Sequence, residues 1–157
     1  VANAIECENP DAVFVDGAGV GGGVIDRLRQ LGYRVIEVQS GEKADASDKY
    51  LNKRVEMWGL MREWLKTGCL TKNEQLENEL IAPEYEITPK GQVKLETKES
   101  MKKRGVASPD FADALALTFA HKVGYKADLS REKIKRESAF DRRNEWFGGR
   151  IDGGWMI

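Results

Sequence analysis

Ala12-Val-Phe-Val-Asp16, followed by Gly17-Ala-Gly-Val-Gly-Gly-Gly23, is the stretch on which the fold turns. Its first five residues form a short apolar run, β-branched and aromatic, bounded by Pro10 and by glycines. That is the pattern of a buried strand. The glycines predict a turn. Val24, Ile25, Leu28 and Leu31 then recur at helical spacing, and Gly32 closes the helix. Arg34-Val-Ile-Glu-Val38 predicts a second strand. Strand, helix and strand in close succession imply a parallel crossover, so the fold class is α/β.

Outward from this unit the pattern stays mixed. Upstream, Val1 to Pro10 reads as the tail of a helix running into a turn, and the absence of an initial methionine leads us to expect a missing upstream portion. Downstream, residues 41–47 read as a loop. Asp48 to Thr67 predicts a long amphipathic helix with Leu51, Val55, Trp58, Met61 and Leu65 on one face, ended by Gly68. Asn73 to Ile81 predicts a shorter helix. Glu84 to Thr88 and Gln92 to Glu96 alternate around Pro89-Lys-Gly91, as a hairpin does. Lys98 to Lys103 is a short basic segment. Ser108-Pro109 opens a further helix to about His121, with serine as N-cap and proline in the first turn. Beyond Gly124 the chain is charged and then glycine-rich. The expected division is a main domain over 1–125 and an appended helix and tail over 126–157. No internal repeat is visible.

With 157 residues the chain suits one compact domain. Cys7 and Cys69 have no zinc or redox spacing and read as free thiols in a reducing compartment. No stretch approaches the roughly 20 apolar residues of a membrane span, and no signal-peptide pattern is present. A cytosolic protein is expected. The net charge of -1 announces no polyanion partner. Positive charge is nonetheless clustered at Lys98, Lys102, Lys103 and Arg104, and again at Arg131, Lys133, Lys135 and Arg136. A local patch matters more for DNA than the total, although a solvated face is the ordinary reading of a charge run.

Two constellations compete for the chemistry. Gly17-x-Gly19-x-x-Gly22 follows a strand and opens a helix, with Glu37 ending the next strand, as in a dinucleotide-binding module. Asp16 argues against it, because a carboxylate at the strand end repels a pyrophosphate. A Walker-type loop is excluded, since no Gly-Lys-Ser/Thr follows. The second constellation is acidic. Asp113 lies in Phe111-Ala-Asp-Ala-Leu-Ala-Leu-Thr-Phe-Ala120, a helix apolar nearly all round and so expected to be buried. A buried carboxylate needs a cation, a hydrogen-bond network or a raised pKa, and an interior arginine would serve. Asp110 shares its face, though an acid in a first turn also complements the helix dipole. Asp16 at a glycine-flanked strand end is their natural partner, or else an ordinary turn residue. Together the three would make a hard-oxygen site for Mg2+ or Mn2+.

Three segments carry a family resemblance. Val13-Phe-Val-Asp-Gly-Ala-Gly-Val-Gly21, Tyr50-Leu-Asn-Lys-Arg54 with Trp58, and Ser108-Pro-Asp-Phe-Ala-Asp-Ala-Leu115 resemble the C-terminal nuclease domain of phage terminase large subunits. The last also resembles the final acidic motif of RuvC-type resolvases. The resemblance runs in order from about Ala12 to Ala120. It implies an RNase H-like mixed sheet with flanking helices and an acidic cluster holding two divalent metals. Asp16 maps to the acid of the fourth strand, and Asp110 and Asp113 to the helix acids. The family's first strands, and the acid on the first of them, have no counterpart here, so the metal site is incomplete if the chain is a fragment.

The resemblance further implies cleavage of concatemeric double-stranded viral DNA in the host cytoplasm. It implies an upstream ATPase domain, and portal protein and small terminase subunit as partners. Lys98 is assigned to a DNA phosphate or to positioning in the active site, and with Lys102, Lys103 and Arg104 it is expected to contact the DNA backbone. His121 reads as a helix-end residue, not a ligand. Trp146, Phe147 and Trp155 in the tail are expected to dock on the portal, or else to pack back on the core.

Overall fold

The structure, a computed structural model, describes residues 1–19 and 21–124. Val1–Lys122 forms one compact unit. The expected tail, with Trp146, Phe147 and Trp155, lies outside the described residues, as does the second basic group at 131–136.

The quoted stretch folds in the expected order, but its strand is shorter than expected and half-buried, not buried. Strand β1 (Phe14–Asp16) leads through helix α2 (Gly21–Gln30) to β2 (Ile36–Val38), after a first helix α1 (Ala2–Glu8). β1 and β2 pair in parallel with Phe14 opposite Ile36, Val15 opposite Glu37 and Asp16 opposite Val38. The ladder continues past Asp16, where the Gly17 N–H donates to the Val38 carbonyl at 2.9 Å. α2 buries Ile25 and Leu28. It begins within the glycine run and not after it.

The long helix is shorter than its apolar pattern suggests. α3 spans Lys53–Leu65, not Asp48–Thr67, because Asn52 is extended and its side chain accepts the Val55 N–H as a cap. Residues 49–51 are drawn instead to the hairpin, where Tyr50 bridges to Val93 and the Leu51 N–H donates to the Val93 carbonyl at 3.0 Å. Leu51 is accordingly exposed, while Val55, Trp58 and Met61 are buried.

α3 also buries Lys53 and Glu56. The Lys53 ammonium donates to Asp45 at 2.7 Å and to Glu56 at 2.9 Å, and Glu56 accepts the Asp45 and Ala46 N–H groups. Burial opposes both charges. The hydrogen bonds outweigh it, so Lys53 is held above its usual pKa and Glu56 below. This network fastens the 41–47 loop to α3.

Helix α4 (Glu74–Ile81) follows, then the antiparallel hairpin of β3 (Tyr85–Ile87) and β4 (Val93–Leu95), short α5 (Lys98–Lys103) and α6 (Asp110–Leu117). Gly91 takes a φ of 79° at the hairpin tip, which a residue with a Cβ rarely adopts. α6 ends at Leu117, earlier than expected, with Thr118 as C-cap. It is buried on one side only. Ala112, Ala116 and Ala120 join Val38, Met57, Trp58 and Met61 in the core, and their small side chains let α6 lie close to α3. Phe111, expected inside, is 51% exposed. Among the described residues the strands form one parallel and one antiparallel pair with helices around them.

Candidate active site

Asp16 stands where β1 runs out. Its Oδ1 accepts the Ala18 N–H at 3.1 Å, and its Oδ2 accepts the Ser40 hydroxyl at 2.9 Å from beyond β2. Two of the glycines around it have a packing reason. A Cβ on Gly21 would sit 1.7 Å from the Asp16 carbonyl oxygen, and one on Gly17 would meet Gln39 and Glu37. Glu37 is engaged by Gln39 at 2.8 Å and Arg29 at 3.5 Å. The loop therefore closes on its own carboxylate and its own neighbours, and the dinucleotide reading is not favoured.

Asp113 has the opposite environment. α6 carries it toward α3, where it is 21% exposed. Its Oδ1 accepts the Trp58 indole N–H at 2.8 Å and the Arg54 Nε–H at 3.1 Å, with Arg54 Nη2 3.0 Å away. Its Oδ2 lies 2.9 Å from the Lys98 ammonium. Arg54 also stacks over Trp58, 5.7 Å from the ring centroid, and donates to the Glu96 carbonyl. The interior arginine that the sequence allowed for Asp113 is Arg54. The Tyr50-to-Trp58 segment contained both partners, but nothing in it said where they would point.

Asp110, one turn earlier, is 76% exposed, accepts the Ser108 hydroxyl at 2.7 Å and lies 3.7 Å from Lys98. Asp16, Asp110, Asp113 and Lys98 all line one cavity of about 660 Å3, walled by α3, β4, α5 and α6. The structure thus brings the three expected acids and the first expected lysine to one place. Lys102 and Lys103 are exposed on α5, which Met101 anchors in the core.

Arg104 is turned elsewhere. It pairs with Glu96 at 2.5 Å and Glu84 at 3.2 Å and donates to the Ala82 carbonyl, tying the hairpin to α5. Arg104 beside it, with Ser100, holds the Glu96 carboxyl down at about 2. These pairs, and not the cavity, are where the structure places Arg104. His121 meets the Phe14 ring, with centroids 6.1 Å apart.

Oxygen donors of this kind suit a hard divalent cation. Asp16 and Asp110 keep lone pairs open beside their hydrogen bonds, but Asp113 is already neutralised by Arg54 and Lys98. Among the described residues no three acidic, histidine or cysteine groups converge closely enough to hold an ion. These residues fit a metal as part of a site, not the whole of one.

Comparison with solved structures decides what kind of fold surrounds this cavity. The nuclease domain of the large terminase subunit gp2 of bacterial virus Sf6 superposes with a TM-score of 0.59 and 22% identity, over 78% of this chain and 70% of that one. The chain has the terminase nuclease fold. A point mutant of the same Sf6 domain, solved with manganese, matches with a TM-score of 0.59 at 23% identity, over 77% of this chain and 70% of that one. A form with calcium matches with a TM-score of 0.57 at 22%, over 77% and 69%. No family model matches the sequence, and no curated protein does. The terminase nuclease fold is RNase H-like, as the three motifs in order implied, and at these identities the likeness speaks for the fold.

Proposed function

We propose that the chain is a metal-dependent endonuclease that cuts concatemeric double-stranded viral DNA during genome packaging. One observation carries the reading: within the terminase nuclease fold, Asp16, Asp110, Asp113 and Lys98 line a single open cavity. Asp16 and Asp110 would hold Mg2+ or Mn2+, joined by Asp113 if Lys98 withdraws. When bound, such ions supply an activated water and stabilise the leaving oxygen of a phosphodiester, two of them acting as a clamp. The protein's own part is positional. Ser40 and the Ala18 N–H fix the Asp16 carboxylate, and Arg54 with Trp58 fix Asp113. Lys98 can meet a phosphate at the cavity mouth, with Lys102 and Lys103 along the backbone beyond it. Backbone contacts carry no sequence information, so cleavage should show little base preference. An ATPase domain of the same polypeptide, the portal protein and the small terminase subunit are the partners this reading entails, in the host cytoplasm.

The test is linearisation of supercoiled plasmid in Mn2+ by the wild-type chain and by Asp16→Asn. Asp16 is the informative position, because it carries few of the fold's bonds. Cleavage by the wild type and its loss in Asp16→Asn are expected. Equal cleavage by both would remove Asp16 from the chemistry.

A further inference from the structure

The first turn of α6 carries both Asp110 and Asp113, and its own sequence caps it poorly. Pro109 at the N-cap offers no side-chain hydrogen bond. Ser108 spends its hydroxyl on the Asp110 carboxylate. The Asp110 and Asp113 N–H groups reach the Ser108 and Pro109 carbonyls at 3.0 and 2.7 Å. That leaves the N–H groups of Phe111 and Ala112, which lie between the two acids. An uncapped first turn frays, because its donors have no partner inside the helix.

Both donors are taken by one carboxylate from another helix. Glu79 Oε2 accepts the Phe111 N–H at 2.6 Å and the Ala112 N–H at 3.1 Å. Its Oε1 is held by Gln75 at 3.0 Å, one turn back along α4. Leu76 and Leu80, on the same side of α4, pack against the core, so the carboxylate is presented from a fixed platform. A negative charge at a helix start also complements the dipole, and hydrogen bonds to an ionised acceptor are the stronger kind.

We propose that Glu79 is a positioning residue: by accepting the Phe111 and Ala112 N–H groups it fixes the turn of α6 that aims Asp110 and Asp113 into the cavity. Its consequence for cleavage rests on the nuclease reading; the positioning itself does not.

The experiment therefore has two readouts on the full chain. The first is the indole N–H resonance of Trp58, which donates to Asp113 at 2.8 Å and so reports where that carboxylate sits. Trp58→Phe assigns it among the four tryptophans. Glu79→Ala should displace this resonance, and Glu79→Gln, which keeps an acceptor, should leave it near the wild-type position. The second is plasmid cleavage in Mn2+. It should fall roughly tenfold in Glu79→Ala, the low end of what outer partners of ligand residues contribute, and be largely rescued in Glu79→Gln. An alanine-variant indole at the wild-type position overturns the proposal whatever the cleavage rate. Equal displacement in both variants overturns it too, since an acceptor would then not be what matters. If Glu79→Ala does not fold, Glu79→Asp, one methylene too short, takes its place with the same two outcomes. A wild type that cuts no plasmid shows that this part of a metal site does not cleave by itself, and the indole shift alone then decides the positioning.

Discussion

The two walls of the cavity hold their carboxylates in opposite ways. On the helix side Asp113 is wedged between α3 and α5, with Arg54, Trp58 and Lys98 on its two oxygens. On the strand side Asp16 accepts one hydroxyl and one backbone N–H and pairs with no cation among the described residues. A carboxylate with two cations on it is an anchor, since removing it leaves those charges unpaired in a partly buried place. A carboxylate with neutral donors only keeps its charge available to something that arrives from solvent. The same division runs along the basic segment. Arg104 is committed to Glu96 and Glu84, whereas Lys102 and Lys103 face solvent.

This contrast can be broken most sharply at Asp16. Asp16→Asn should lower plasmid cleavage by more than about 100-fold, beyond what outer partners alone contribute, with little change in thermal unfolding. A large fall in melting temperature would instead make Asp16 a second anchor. The opposite pattern is expected at Arg54. Arg54→Met should destabilise the fold by about 3 kcal/mol, because it strips one cation from a carboxylate that is mostly out of water. Urea unfolding measures this, and a loss below about 1 kcal/mol would mean that the pair behaves like a surface ion pair.

The basic segment offers a smaller test. Lys102→Ala with Lys103→Ala should reduce the slope of log affinity for DNA against log salt by about 2, roughly 1 per phosphate contact. Arg104→Ala should leave that slope unchanged and loosen the hairpin.

The smallest effect is in acid. Glu96 titrates at about 2 in the fold, against 4.5 for an ordinary glutamate, chiefly through Arg104. A depressed carboxylate stabilises the folded state above its unfolded value, and that contribution drains away as pH falls from 4.5 toward 2. Amide-exchange protection in β3 and β4, relative to the intrinsic rate at each pH, should fall across that window in the wild type. In Glu96→Gln it should change less.

Much of this molecule is written locally. The Phe14–Asp16 strand, the helix that follows it, the second strand and the hairpin follow from runs of β-branched residues, helical spacing and turn glycines, all of which act within a few residues. The carboxylates that line the cavity could be marked for the same reason: an acid at a strand end or inside an apolar helix is conspicuous in its own neighbourhood. What the sequence could not settle was which partner each charge would take. Arg54 reaches Asp113 across 59 positions, and Glu79 reaches Phe111 across 32. Asn52 ended the expected long helix early because residues 49–51 were wanted by the hairpin. Phe111 came out exposed because α6, although it packs on α3 and α4, leaves that side to solvent. Propensity and periodicity are properties of adjacent residues, and they determined the elements. Ion pairing and trans-capping need two elements to be brought together, so tertiary structure alone decided which acid became an anchor and which stayed open.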